Sequence, residues 1–158
     1  MKNSKHSGRP KLAPVCNEIK LDFPSHSRNE AFARAAAGAF IAQLDPTPSE
    51  LSDIKCALSE AVTNCTVHAY PDRIGTVRLE IKLRADGTVM LTVKDRGIGI
   101  PDIEKAREPL FTTDAEGERS GMGFTVMEGF CDSVKIRSVP AKGTSITLIK
   151  RLNGKTSS

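Results

Sequence analysis

The chain has 158 residues, and 23 Lys+Arg against 19 Asp+Glu give a formal net charge of +4. That length suits one compact domain burying roughly 68–70% of its unfolded surface. An apolar fraction of 39%, before the 12 glycines are added, excludes disorder as the overall state. The longest uncharged stretch, Ala61–Pro71, is eleven residues with Thr63, Asn64 and His68 inside it, too short and polar for a membrane helix of about 20 apolar residues.

The excess positive charge sits at one end. Lys2, Lys5, Arg9 and Lys11 fall in a first eleven residues without an acid, and from Leu12 onward 19 basic residues face 19 acidic ones. Residues 1–14 therefore read as a basic flexible tail, 15–152 as a single neutral domain and 153–158 as a C-terminal tail. Gly8, Pro10 and Pro14 interrupt any signal-peptide core. Ile19, Leu21 and Phe23 alternate and predict a strand ending at Pro24. A helix capped by Ser27 or Asn29 is expected through Leu44, with Phe32, Ala35, Ala36, Ala39 and Phe40 on its apolar face. After the turn Asp45–Ser49, Ser49 and Glu50 open a second helix to about Tyr70, in which Leu51, Ile54, Leu58, Ala61, Val62 and Cys65 recur at helical spacing.

Two strands follow. Val77, Leu79, Ile81 and Leu83 alternate with charged residues, and Ala85-Asp86-Gly87 turns the chain into Val89, Leu91 and Val93. Asp95–Arg119 is rich in Gly, Pro and charge, with a short helix near Asp102–Arg107. Gly121–Phe130 predicts a helix, and Val134/Ile136 and Ile146/Leu148 two last strands. Early helices and hairpin-paired strands predict an α+β two-layer sandwich: a mixed, mostly antiparallel sheet with helices on one face. The four cysteines (Cys16, Cys56, Cys65, Cys131) show no CxxC and no metal-ligand spacing. Cys56 and Cys65 read as small hydrophobes of the second helix, in a chain expected in a reducing cytoplasm.

Three motifs carry chemistry. Glu60-x-x-x-Asn64 stacks a carboxylate and a carboxamide on one helix face, with His68 one turn on. Glu60 can accept a proton, and the Asn64 carbonyl can ligate a Mg²⁺ that keeps waters and phosphates as its other ligands. Asp95-x-Gly97-x-Gly99 follows an apolar strand, where a carboxylate can read an exocyclic amine and the glycines let backbone approach a ligand. Ser120-Gly121-Met122-Gly123 opens a predicted helix, whose free N–H groups favour phosphate, and Gly143-Thr144 opens the last strand. Taken singly, each motif is also what a solvated helix face, a loop turn or a helix start looks like. A P-loop motif is absent, as are the signatures of eukaryotic-type protein kinases.

In this order and spacing the motifs resemble the GHKL ATP-binding fold, shared by gyrase-type ATPases, the Hsp90 and MutL families and histidine kinases. Phe40–Thr47, Leu58–Asn64, Pro109–Thr113 and Glu118–Glu128 are similar to the anti-sigma factor branch of GHKL kinases, and the likeness spans about Glu18–Leu152. The resemblance implies a homodimer that binds and inhibits a sporulation sigma factor. It also implies that MgATP is used to phosphorylate a serine of an anti-anti-sigma antagonist. By position, Glu60 would be the catalytic base, Asn64 the Mg²⁺ ligand and Arg119 the arginine near the terminal phosphate. Asp95 would read adenine, with Gly97, Gly99 and Thr144 shaping its pocket. Gly121, Met122 and Gly123 would cradle phosphates, and Thr113 would lie in a lid from about Pro101 to Ser120. Cys65 stands where Ala is common.

A helical segment bearing a phospho-acceptor His is not expected from a 14-residue tail, so partner surfaces are expected on the domain itself, with Asn29, Glu30 and Arg34 of the first helix as candidates. Another reading is a non-catalytic ATP-sensing module that sequesters a transcription factor. Direct nucleic-acid binding would rest on the tail alone, since one Tyr, six Phe and no Trp leave few rings to stack bases.

Overall fold

In a computed structural model of the chain, residues 11–108 and 123–153 are described. The alternation that predicts the strands also decides which way they face. In β2 (Thr76–Arg84), Val77, Leu79, Ile81 and Leu83 are fully buried while Arg78, Glu80, Lys82 and Arg84 face outward. Strands β1 (Val15–Pro24), β3 (Thr88–Asp95), β4 (Ser133–Val139) and β5 (Gly143–Arg151) complete a five-stranded sheet ordered β1-β2-β3-β5-β4. Expected as mixed and mostly antiparallel, the sheet is antiparallel in all four pairings. Hydrogen bonding to it starts before β1: the Arg84 side chain donates to Ala13 O and the Ala85 N–H to Pro14 O, residues that composition assigns to the tail.

The inward faces of the strands meet α1 (Asn29–Ile41) and α2 (Pro48–Thr63), giving the expected two layers. Helix α1 departs from its predicted face. Ala33, Ala37, Gly38 and Ile41 are buried, whereas Phe32 is 57% exposed and Ala35 and Ala39 point to solvent. The cause is close helix packing. Helix α1 packs on α2 through this small-residue side, where Gly38 lies against the Lys55 side chain. Neither expected cap is used. Arg28 occupies the cap position without a side-chain bond, and the Asn29 amide donates to Pro24 O at 2.9 Å. The helix ends at Ile41 in a tight turn, Ala42–Leu44, followed by Asp45 with φ 52°.

Helix α2 starts two residues earlier than expected, at Thr47-Pro48. The Thr47 hydroxyl accepts from the Glu50 N–H, the Glu50 carboxylate accepts from the Thr47 N–H, and Pro48 takes the first helical position. Thr47→Ala is expected to cost about 1 kcal/mol, seen as a lower midpoint in urea with an unchanged slope. Ile54, Ala57, Leu58, Ala61, Val62 and Cys65 form the buried stripe. Cys56 does not belong to it and is exposed. At Asn64 the helix widens into a π turn, Asn64–His68, closed by the Ala69 N–H donating to Asn64 O at 3.3 Å.

Beyond β3, the short helix α3 (Ile103–Ala106) is capped by the Asp102 carboxylate, close to its predicted place. The described part of the later helix, α4 (Gly123–Phe130), packs on α2. Among the described residues no helix is long and apolar enough to cross a membrane.

Candidate functional site

The period-2 pattern of the strands does more than build a core. Val89, Leu91 and Val93 are the inward residues of β3, and Asp95 is the next inward position. Thr144 precedes Ile146 and Leu148 in the same way on β5, and Ser138 follows Val134 and Ile136 on β4. Strand register lines these up: Phe23 pairs with Val77, Val77 with Asp95, and Thr144 with Ser138. One transverse row of the sheet therefore turns from apolar to polar as it crosses from β2 to β4, beneath the end of α2.

Asp95 is 8% exposed, and its carboxylate is held from several sides. Oδ1 accepts from the Gly97 N–H at 2.9 Å and the Thr144 N–H at 3.2 Å, and Oδ2 accepts from the Cys65 thiol at 3.3 Å. Three donors from three separate segments thus converge on one buried carboxylate. The glycines are what let backbone come this close. A Cβ at Gly97 would collide with the Ala69 carbonyl, and one at Gly143, which has φ 123°, with the Asp95 carbonyl. Burial pushes the Cys65 thiol well above its ordinary pKa, reinforced by the Asp95 charge, and burial raises Cys131 to about 11. Both are protonated at neutral pH and unsuited to nucleophilic work.

A narrow pocket opens over this carboxylate, lined by Asn64, His68, Ala69, Asp95, Gly99, Ile100, Thr144 and Ile146. Asn64 and Asp95, 31 positions apart in sequence, thus share one wall system as the motif order implied. Among the described residues the Asn64 side-chain amide makes no hydrogen bond, so its carbonyl is available to a ligand. Gly99 lines the same pocket with φ 78°. With no further partner among the described residues, the second acceptor direction of Asp95 Oδ2 and the Asn64 carbonyl suit a purine amine and a hard cation respectively. Among the described residues no cluster of three or more His, Cys, Asp or Glu could hold a metal.

Glu60, one turn before Asn64, faces a different space. It lines a groove of about 620 Å³ between α1, α2 and α4, together with Arg34, Lys55, Ser59, Val126 and Phe130. Its carboxylate also abuts the start of α4: a Cβ at Gly123 would lie 3.2 Å from Glu60 Oε2. Gly123, the described end of the third motif, is therefore a neighbour of Glu60. In the same groove Arg34 pairs with Glu30 at 3.1 Å and donates to Ser59 Oγ at 3.2 Å, while Ser59 Oγ donates to Glu30. Thr113, Arg119, Gly121 and Met122 lie outside the described residues, as does most of the expected lid.

Sequence reasoning missed three residues of the site. Ser138 Oγ accepts from the Ile100 N–H at 2.6 Å and lies 2.9 Å from Thr144 Oγ1, so it couples the loop after β3 to the start of β5. The Tyr70 hydroxyl donates to Thr76 O and accepts from the Arg96 N–H, both at 2.7 Å, bracing the loop at its root. Cys65, read as a plain hydrophobe, is a hydrogen-bond donor to Asp95. Only Ser138 left a trace in sequence, as the next inward position of its strand.

Comparison with known proteins places the chain in a family. The histidine kinase-like ATPase domain family matches residues 23–150. The chain is 54% identical over 137 residues to the anti-sigma F factor of Geobacillus kaustophilus, covering 86% of this chain and 93% of that one. It is 52% identical over 138 residues to the anti-sigma F factor of Bacillus subtilis, covering 87% and 94%. The structure of the RsbU and RsbW domains of Rv1364c from Mycobacterium tuberculosis superposes with a TM-score of 0.64 at 23% identity, over 86% of this chain and 32% of that one, which speaks to fold alone. The chain belongs to the histidine kinase-like ATPase domain family and, within it, groups with the anti-sigma F factors.

Proposed function

We propose that this chain is an anti-sigma factor and protein serine kinase: it binds and inhibits a sporulation sigma factor and phosphorylates a serine of an anti-anti-sigma antagonist. It would do so in the cytoplasm, as a homodimer, without direct contact to nucleic acid. The observation that carries the reading is the division of one helix end between two spaces. Asn64 joins Asp95 and Thr144 in the narrow pocket, while Glu60, one turn away, faces the wide groove.

Bound MgATP would supply the transferable terminal phosphoryl group. Asp95 would accept the adenine amine on Oδ2, with Gly97 and Thr144 holding Oδ1 and Gly99 forming the wall. Asn64 would offer its carbonyl to Mg²⁺. Gly123, with Gly121 and Met122 before it, would present helix N–H groups to the phosphates. Glu60 would take the proton of the incoming serine hydroxyl as its oxygen bonds to phosphorus. Arg119 and Thr113 remain proposals from resemblance, for the terminal phosphate and the lid.

The decisive experiment incubates the protein with labelled ATP, Mg²⁺ and the candidate anti-anti-sigma protein, then maps the modified residue. Phosphoserine on the partner is expected. ATP binding with no transfer would instead favour the non-catalytic sensing module. A second expectation concerns docking. Arg34 is 43% exposed at the groove and anchored by Glu30, so Arg34→Glu places like charges side by side there. Binding of both protein partners should weaken about tenfold, read by titration calorimetry. Unchanged binding of both would remove α1 from the docking surface.

A further inference from the structure

We propose that Cys65 is a positioning residue for nucleobase selectivity: its thiol donates to Asp95 Oδ2 and aims that oxygen at the exocyclic amine of a bound purine. The proposal rests on the reading of Asp95 as the purine contact and adds the residue that orients it.

The argument is one of acceptor capacity. Each carboxylate oxygen offers two lone-pair directions. Asp95 Oδ1 has both in use, by the Gly97 and Thr144 N–H groups. Oδ2 has one donor among the described residues, the Cys65 thiol at 3.3 Å. Among the described residues the remaining acceptor direction of this buried group therefore lies on Oδ2, and the Cys65 thiol is the donor that bears on that oxygen directly. A 6-amino purine supplies the donor needed there. A 6-oxo purine would set oxygen against oxygen, and an unsubstituted purine would leave the carboxylate unanswered.

Cys65 is suited to this by its place in the fold and its chemistry. It continues the buried stripe of α2 into the π turn, four residues after Ala61, and is 1% exposed, so packing holds its side chain above the sheet row that contains Asp95. A thiol is a weak donor, so it orients Oδ2 without using up the acceptor strength that an incoming amine needs. The three donors come from three separate elements, the turn after α2, the loop after β3 and the start of β5. Two are main-chain groups that survive any side-chain substitution. Cys65 supplies the one orienting contact that sequence can tune.

The test measures Kd by calorimetry, with Mg²⁺ present, for ATP and for purine riboside 5′-triphosphate, which lacks the amine. Wild type, Cys65→Ala, Cys65→Ser and Cys65→Val are compared, with thermal midpoints to show that each is folded. Wild type should prefer ATP by about tenfold. In Cys65→Ala and Cys65→Val that preference should shrink about fivefold, through weaker ATP binding and little change for the analogue. Cys65→Ser, which restores a donor, should keep it. Equal weakening of both ligands in Ala, or rescue by Val and not Ser, would make Cys65 a packing residue and overturn the proposal. Wild type binding both ligands equally would overturn the purine reading of Asp95 itself, an outcome visible before any variant is made.

Discussion

Asp95→Asn is expected to lower ATP affinity by about a hundredfold or more while leaving the domain folded. The substitution is nearly isosteric, and the two oxygens of this carboxylate do different jobs. Oδ1 satisfies the Gly97 and Thr144 N–H groups, and an asparagine can keep its own carbonyl oxygen there, because those two donors dictate which way the amide turns. The amide nitrogen is then left in the place of Oδ2, facing the Cys65 thiol and the pocket. An acceptor has become a donor at the one point where an adenine amine would donate. Loss of a hydrogen bond to a charged group and donor–donor opposition act together, in a site too buried for water to relieve either. Titration calorimetry with ATP and Mg²⁺ reads the affinity, and thermal melting reads the fold. ATP affinity close to wild type would contradict the assignment of Asp95 to adenine.

The arrangement behind that prediction was partly written in the sequence. Strand alternation is a strong signal because a one-residue slip would turn every buried side chain outward, and it places Asp95 and Thr144 inward as surely as Val93 and Ile146. The start of α2 was also legible: Thr47-Pro48-x-Glu50 is a capping box with proline at the first position, although Ser49 drew the boundary two residues late. Helix α1 was not legible. Ala31, Ala33, Ala35, Ala36, Ala37 and Ala39 distribute small apolar side chains around the helix, so periodicity cannot pick a face. The choice is made by packing against α2, a separate segment of the chain, where Gly38 lies beside Lys55. Contacts between distant segments stayed hidden for the same reason. Nothing in residues 61–69 announces that the Cys65 thiol will meet a carboxylate thirty positions later, and nothing near Tyr70 foretells the Arg96 N–H. The motif order carried the site because it encodes positions along elements. The supporting hydrogen bonds depend on how those elements pack, which one sequence does not spell out.

Glu60→Gln should separate binding from chemistry. Glu60 is half-buried in the last turn of α2 and lines the groove shared with Arg34, Ser59 and Val126, whereas Asn64 lines the pocket over Asp95. Glutamine matches its size and can still accept a hydrogen bond from a serine hydroxyl, so neither folding nor docking of that serine should suffer. It cannot take the proton. Phosphotransfer in a single turnover should therefore fall by about 10²–10⁴-fold, while ATP affinity stays within about twofold of wild type, because nothing lining the pocket over Asp95 has changed. A structural role for the carboxylate predicts the opposite pairing. Its Oε2 abuts the start of α4 near Gly123, and if that contact mattered chiefly for stability, the melting temperature would drop and phosphotransfer would survive in the folded fraction. Transfer at the wild-type rate would remove Glu60 as the base, and would leave the phosphoryl acceptor to be deprotonated by a group not yet identified in the groove.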